Sequence, residues 1–323
     1  MPTDPIHIAL VGAGGIGRAH RNAWSKVPGA QIVAVVDVDA DRAQTMAADL
    51  GAESFTAAAA MLAAVKPDAV DVCTPPAMHQ APVEAALAAS AHVICEKPLA
   101  DTPTHAFAIC EAAAASGKLL MTAFCHRFHP PVARLKELID AGTLGRIGMF
   151  RNRFAGPFKG IEDVWFSNPD IAGGGCLMDT SVHSVDLFRF LVGEVKRAQG
   201  AGVLLNEKLR PGVEDTAAML LESKSGAIGV IEASWTLQGG VNVIEVYGTE
   251  GVAEVHYWDG FPSRYKTATM DAWEPLPEEG DRFVGEVTHF AQAIRGEAPL
   301  LVTGHDGLRA VEVIYEAYAT FAW

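Results

Sequence analysis

Basic residues are scarce in this chain: 25 lysines and arginines stand against 39 aspartates and glutamates, for a formal charge of −14. A nucleic-acid binder needs a basic face for its phosphate contacts, so that class is excluded. Cysteine is sparse too. The five cysteines, at 73, 95, 110, 125 and 176, form no CxxC pair, and most lie inside apolar stretches. They read as small reduced core residues of a cytoplasmic protein, not as a disulfide framework or a metal-ligand set. No uncharged apolar run reaches the length of a membrane span, so no membrane association is expected. The opening "MPTDPIHIALVG" lacks a basic segment followed by an apolar one, and no secretory leader is expected from it. Internal repeats and linkers of disordered composition are also missing.

Half of the 323 residues are hydrophobic, enough for two cores, and the length suggests two domains. From Ile6 to about Ala123, short β-branched runs ("IHIALV", "QIVAVV", "DAVDVC", "AHVIC", "LLMTAF") alternate with Ala-rich stretches of helical spacing. That rhythm predicts βαβ units and a doubly wound parallel sheet over 1–124. The texture then changes. A helix, "VARLKELIDAG", precedes the strand-like "GRIGMFRNRFAG", and a turn of three glycines at 173–175 leads into the helix "LMDTSVHSVDLFRFLVG". Five strand-like runs follow, at 197–205, 215–223, 227–237, 241–248 and 251–258, joined by turns that suit consecutive antiparallel pairing. Two helices close the chain, at 281–295 and 305–322. The expected second domain is thus 125–323, an α/β unit with a large, mostly antiparallel sheet.

The first strand runs into "VGAGGIGRAH", with Gly12, Gly14 and Gly17 spaced as GxGxxG at the start of a helix. Such a spacing is weak alone, but this context is the one a dinucleotide needs. Gly12 allows the tight turn, Gly14 lets a pyrophosphate approach the backbone and Gly17 permits close helix–sheet contact, and Gly15 and Ile16 between them are expected to bind the cofactor too. Asp37 ends the second strand 20 residues beyond Gly17, where a carboxylate can accept both adenosine ribose hydroxyls. A 2′-phosphate there would meet that charge, so NAD is expected over NADP. Asp39 reads as an N-cap, and His20 as packing or solvent-facing.

Two further stretches carry charge where apolar runs end. "CEKPLAD" sets Glu96, Lys97 and Pro98 at the end of a strand, where a lysine is ordinarily solvated. "GGGCLMDTSVHSVDLF" sets Asp179 and His183 four apart on one helix face, a spacing that also suits a surface ion pair. No further His or Cys stands at a recognisable metal-ligand spacing, so no metal is expected.

These stretches, with "TPPAMH" (74–79) and the closing "DGLRAVEV", resemble the family of glucose–fructose oxidoreductase, inositol dehydrogenase and the rhizopine-catabolism oxidoreductases. The resemblance covers nearly the whole chain. It implies a Rossmann domain followed by an α/β domain, and a dehydrogenase that moves a hydride between nicotinamide and a secondary alcohol of a sugar, polyol or cyclitol. It places Thr74, Pro75, His79 and Glu96 at the cofactor. Lys97 would stand at both the cofactor and the substrate hydroxyl, with Asp179 and His183 completing the catalytic set. A cis Lys97–Pro98 bond would aim the lysine inward. Neutral His183 could then take the hydroxyl proton while Lys97 stabilises the alkoxide.

Arg127 follows the last Rossmann strand at a position that often faces substrate in such enzymes, and a domain-interface salt bridge fits it equally. Trp165 could stack on a sugar face or pack an interface. Inositol-type members carry a His-x-Asn where this chain has Phe154-Ala155-Gly156, which speaks against myo-inositol. A NAD-dependent glycosidase and a non-catalytic cofactor-binding sensor are the alternative functions; the retained Lys97, Asp179 and His183 weigh against the sensor. Arg151 and Arg153 should share one strand face. An open sheet face that exposes apolar residues would pair copies of the chain into a homo-dimer or homo-tetramer.

Overall fold

The computed structural model describes residues 5–257 and 260–322. Residues 1–4, where the leader reading began, and Trp258, the last residue of the run 251–258, lie outside the described residues. The chain divides into two compact units, Met1–Cys125 with Asp281–Leu308, and His126–Gly280 with Arg309–Trp323.

The first unit alternates β1 (Ile6–Val11), α1 (Gly15–Trp24), β2 (Ala30–Val36), α2 (Ala40–Leu50), β3 (Glu53–Phe55), α3 (Ala58–Val65), β4 (Ala69–Val72), α4 (Gln80–Ala88), β5 (His92–Glu96), α5 (Pro103–Ser116) and β6 (Leu120–Ala123). The strands form one sheet of order β3-β2-β1-β4-β5-β6, every pair parallel. β4 and β6 are buried along their whole length, as strands covered on both faces must be. Strand order reverses between β1 and β4, so the carboxyl ends of those two strands flank the crevice where doubly wound sheets bind ligands. β3 carries too few residues for a readable period, and the sequence did not signal it. Helix ends follow local chemistry. Asp39 accepts from the Arg42 N–H as the N-cap of α2, as expected, and Gly51 at φ +64° closes that helix.

The second unit contains α6 (Pro130–Asp140), β7 (Ile147–Ala155), α7 (Pro169–Ala172), α8 (Val182–Leu191), β8 (Val195–Val203), β9 (Thr216–Ser223), β10 (Ile228–Ser234), β11 (Asn242–Gly248), β12 (Gly251–His256), β13 (Arg264–Thr267) and β14 (Glu274–Pro275). Its sheet has the order β14-β13-β12-β11-β7-β10-β9-β8. All neighbours are antiparallel except β7 and β10, which run parallel. The expectation that the later strands pair consecutively is therefore corrected at one place: β7 lies between β10 and β11. The connection from β10 to β11 is long enough to pass over the end of β7. A side chain on Gly240, within that connection, would stand 1.7 Å from the Ala155 carbonyl oxygen.

Two helices, α9 (Arg282–Ile294) and α10 (Gly304–Tyr318), close the chain. α9 buries Glu286, Val287, Phe290 and Ala291 along one face. It belongs to the first unit: Phe283 meets the His20 ring at 5.9 Å, and Arg295 donates to the carbonyls of Pro28 and Gly29. The stretch 281–308, placed in the later domain on sequence grounds, clusters with the Rossmann unit instead. A single cut in the sequence cannot express that return.

Candidate functional site

The glycine loop shows why each of its glycines is there. Gly12 sits at φ +105°, and a Cβ on it would stand 2.5 Å from the Cys73 carbonyl oxygen. A Cβ on Gly17 would stand 1.9 Å from the Gly12 carbonyl oxygen. These two positions are closed by backbone. At Gly14 and Gly15 no atom of the described residues beyond the local backbone lies within 4 Å of where a Cβ would be, and the free N–H groups at the start of α1 are left without a capping side chain. That space, at the positive end of a helix, fits a pyrophosphate.

Asp37 is held by main-chain N–H groups at the end of β2. Its Oδ2 accepts from the Ala13 N–H at 2.8 Å and its Oδ1 from the Asp39 N–H at 2.9 Å. Arg42, in the first turn of α2, brings Nη2 to 3.4 Å from Asp37 Oδ1 and Nε to 3.0 Å from Asp39 Oδ2.

Thr74 and Pro75 follow β4, half-exposed, beside the glycine loop. His79 is fully buried. Its Nδ1 lies 3.0 Å from the Pro98 carbonyl and its Nε2 lies 2.7 Å from the Thr74 carbonyl, so the ring staples the 74–79 turn to the segment after Lys97. Burial holds its pKa below the ordinary value. Both ring nitrogens of His79 thus face main chain. Glu96 is enclosed likewise. It is buried, with Oε2 accepting from the Lys97 N–H at 2.9 Å and Oε1 facing His20 Nε2 at 3.0 Å. Lys97 itself is half-buried, and its bond to Pro98 is cis.

In the second unit, Asp179 lies in a π-helical turn, Leu177–Ser181, that runs directly into α8, which carries His183. Such turns break the regular hydrogen-bond ladder and recur at functional positions. Asp179 Oδ2 accepts from the Thr180 hydroxyl at 3.1 Å, and Trp235 Nε1 donates to the same hydroxyl at 3.3 Å. The buried His183 ring meets His126 edge-on, with centroids 4.4 Å apart. His126 Nδ1 shares a hydrogen bond of 2.8 Å with the Tyr257 hydroxyl, and Phe154 stacks on the His126 ring.

Arg127 is buried and grips Asp186 of α8 through Nε at 2.9 Å and Nη2 at 2.6 Å. It anchors that helix: of the two readings open for Arg127, a salt bridge is formed, and it lies within the second unit. Trp165 stacks on Phe166 with centroids 3.8 Å apart. Arg151 and Arg153 share a strand face as expected, and Arg151 pairs there with Glu232 at 2.7 Å.

Sequence reasoning missed His20, Asp71, His126, Glu214 and Tyr257. His20 could have been noticed as the one polar residue in the buried stripe Gly17, His20, Ala23, Trp24 of α1. The other four carry no local signal, since their partners lie far along the chain.

Residues 6–124 match the oxidoreductase family with an NAD-binding Rossmann fold, and residues 132–254 match the GFO/IDH/MocA C-terminal domain. This chain belongs to that family. The scyllo-inositol 2-dehydrogenase (NAD(+)) of Bacillus subtilis is 30% identical, over 98% of this chain and 94% of that protein. The D-apiose dehydrogenase of Paraburkholderia graminis is 29% identical, over 96% of this chain and 86% of its own. Among solved structures, GenD2 from gentamicin A biosynthesis in complex with NAD superposes with a TM-score of 0.85 at 27% identity, covering 99% of this chain and 95% of that one. The protein is a dehydrogenase-type oxidoreductase whose Rossmann unit takes NAD. No helix among the described residues is long and apolar enough to cross a membrane.

Proposed function

We propose that this protein oxidises a secondary alcohol of a sugar, polyol or cyclitol, with Lys97, Asp179 and His183 as its catalytic residues. The observation that carries this reading is a cradle shaped for a pyrophosphate in a chain that also presents Asp179 and His183 from one helical start. Bound NAD would supply the hydride acceptor. The N–H groups at Gly14 and Gly15 bind its pyrophosphate, and Asp37 accepts from the adenosine ribose. Neutral His183 takes the hydroxyl proton at a ring nitrogen, the Lys97 ammonium stabilises the oxygen that is left charged, and Asp179 orients the substrate or the imidazole. The named relatives act on cyclitols and on a branched sugar, which supports the substrate class. On the family resemblance, the apolar Phe154, buried against His126, takes the place of the His in a His-x-Asn of inositol-type members, and this argues against myo-inositol.

The test is NADH formation across a panel of pyranoses, polyols and cyclitols, for the intact protein and for His183→Ala. Oxidation should fail on the acidic side, where His183 is protonated, and His183→Ala should lower turnover by about 10²–10⁴-fold, the worth of a positioned base. Sugar release without net NADH would make the protein a glycosidase, and NAD binding without turnover would make it a sensor. The same reading includes self-association. Met149, Ile228 and Tyr247 lie in one cross-strand row on the outward sheet face and are exposed, which suits a homo-dimer or homo-tetramer through that face.

A further inference from the structure

Beneath the Lys97 backbone lies a buried chain of charges that the proposed reaction does not use. His20, on α1, is wholly buried, and both its ring nitrogens face carboxylates: Nδ1 lies 2.8 Å from Asp71 Oδ2, and Nε2 lies 3.0 Å from Glu96 Oε1. Ionised carboxylates only accept, so the ring satisfies both partners only as an imidazolium that donates twice. Burial by itself would lower the His20 pKa, but the charge and hydrogen bond of Asp71 outweigh it and hold that pKa well above its ordinary value. Asp71 also accepts from Trp24 Nε1 at 2.7 Å and from the Cys73 thiol at 3.3 Å. Glu96 spends its other oxygen on the Lys97 N–H. The ligand-type atoms of His20, Asp71 and Cys73 lie within 4.8 Å of one another, but both imidazole nitrogens are already committed as donors, so this is a proton-bonded ion cluster and not a metal cage.

Replacing a buried ion cluster by an apolar filling of similar volume is often neutral or stabilising, so packing by itself does not account for this one. A cluster with one cation and two anions therefore calls for a role other than packing. We propose that His20 is a positioning residue for Lys97: tied to Asp71 in the middle of the sheet, it fixes Glu96, and through Glu96 the main-chain N–H that sets where the lysine begins. α1 supplies both this imidazolium and the N–H groups of the pyrophosphate cradle, so one helix registers cofactor and lysine together. The proposal rests on the reading of Lys97 as catalytic.

The test uses the full chain. His20→Gln combined with Asp71→Asn removes the imidazolium with its counter-charge; Glu96→Gln, which withdraws a single charge, is the second variant should the first not fold. NAD affinity, read by quenching of protein fluorescence, should stay nearly unchanged, while kcat falls about 10²-fold, the scale of an ångström of misplacement. The decisive readout is non-additivity. In a Lys97→Ala background the same substitutions should lower the residual kcat no further, because they act through Lys97. Folded variants that keep kcat, or losses that add to that of Lys97→Ala, overturn the proposal. If Lys97→Ala alone leaves kcat intact, the catalytic reading of Lys97 falls first and takes this proposal with it.

Discussion

The Gly175 N–H donates to Glu214 Oε2 at 3.0 Å, and a Cβ on Gly175 would stand 1.9 Å from the Glu214 carbonyl oxygen. Glu214 Oε1 accepts from the Leu177 N–H at 2.8 Å and from the Tyr318 hydroxyl at 2.9 Å, so one buried carboxylate caps the start of the turn that carries Asp179. The neighbouring Gly174 is closed by Tyr318, whose hydroxyl would lie 2.3 Å from a Cβ there. Gly174 and Gly175 thus let this phenol and this carboxylate reach the helix start.

Gly175→Ala should lower stability by about 1–3 kcal/mol, as overpacking does, and reduce turnover by displacing Asp179 and His183. Gly14→Ala should behave oppositely. Its Cβ meets no protein atom within 4 Å, so the melting temperature should hold while NAD affinity falls. Thermal denaturation and fluorescence titration separate the two. An intact NAD affinity in Gly14→Ala would remove the pyrophosphate from that position.

Glu286, on α9, is fully buried, and among the described residues neither of its carboxylate oxygens has a hydrogen-bond partner. Burial raises its pKa well above 4.5, against the attraction of His20, and Glu96 and Asp71 add to the rise. A raised folded-state pKa means that the folded protein keeps a proton the unfolded chain releases. Stability is then full below about pH 4.5 and declines as pH rises toward the folded pKa, by about 1.4 kcal/mol per pH unit for one such group. Glu214, pushed up to about 7 chiefly by burial, acts in the same direction. Glu286→Gln should therefore flatten the fall in melting temperature between about pH 5 and 8 and raise stability at pH 8. A destabilised Gln variant at pH 8 would mean that the carboxylate is ionised and has found a partner.

Arg42 bears on cofactor choice. It stands beside Asp37, and an arginine near this strand end can accommodate a 2′-phosphate. The intact protein should prefer NAD, because Asp37 repels that phosphate. Asp37→Ser should release Arg42 and raise NADP affinity, and adding Arg42→Ala should take that gain away. Equal affinities for the two cofactors in the intact protein would refute the role of Asp37.

The parallel sheet, the glycine loop and the acid after it were legible because each is written within one short stretch. A period of two or 3.6 residues, a GxGxxG at a strand end, and an aspartate closing the next strand follow from local sterics and spacing. The Asp179/His183 helix and the lysine at the end of β5 were legible for the same reason. What surrounds them was not. His20 and Glu96 are 76 residues apart and Gly175 and Glu214 are 39 apart, and each pair meets only because sheet order and helix packing bring their elements together. The place of β7 between β10 and β11 and the return of 281–308 to the first unit are likewise decided by packing, where a strand or helix buries its apolar face wherever a complementary one is open. Sequence spacing, together with the family resemblance, marked which groups are candidates for chemistry here; only the tertiary structure decided which distant residues partner the buried ones, because a buried polar or charged group is tolerated only where its hydrogen bonds are completed.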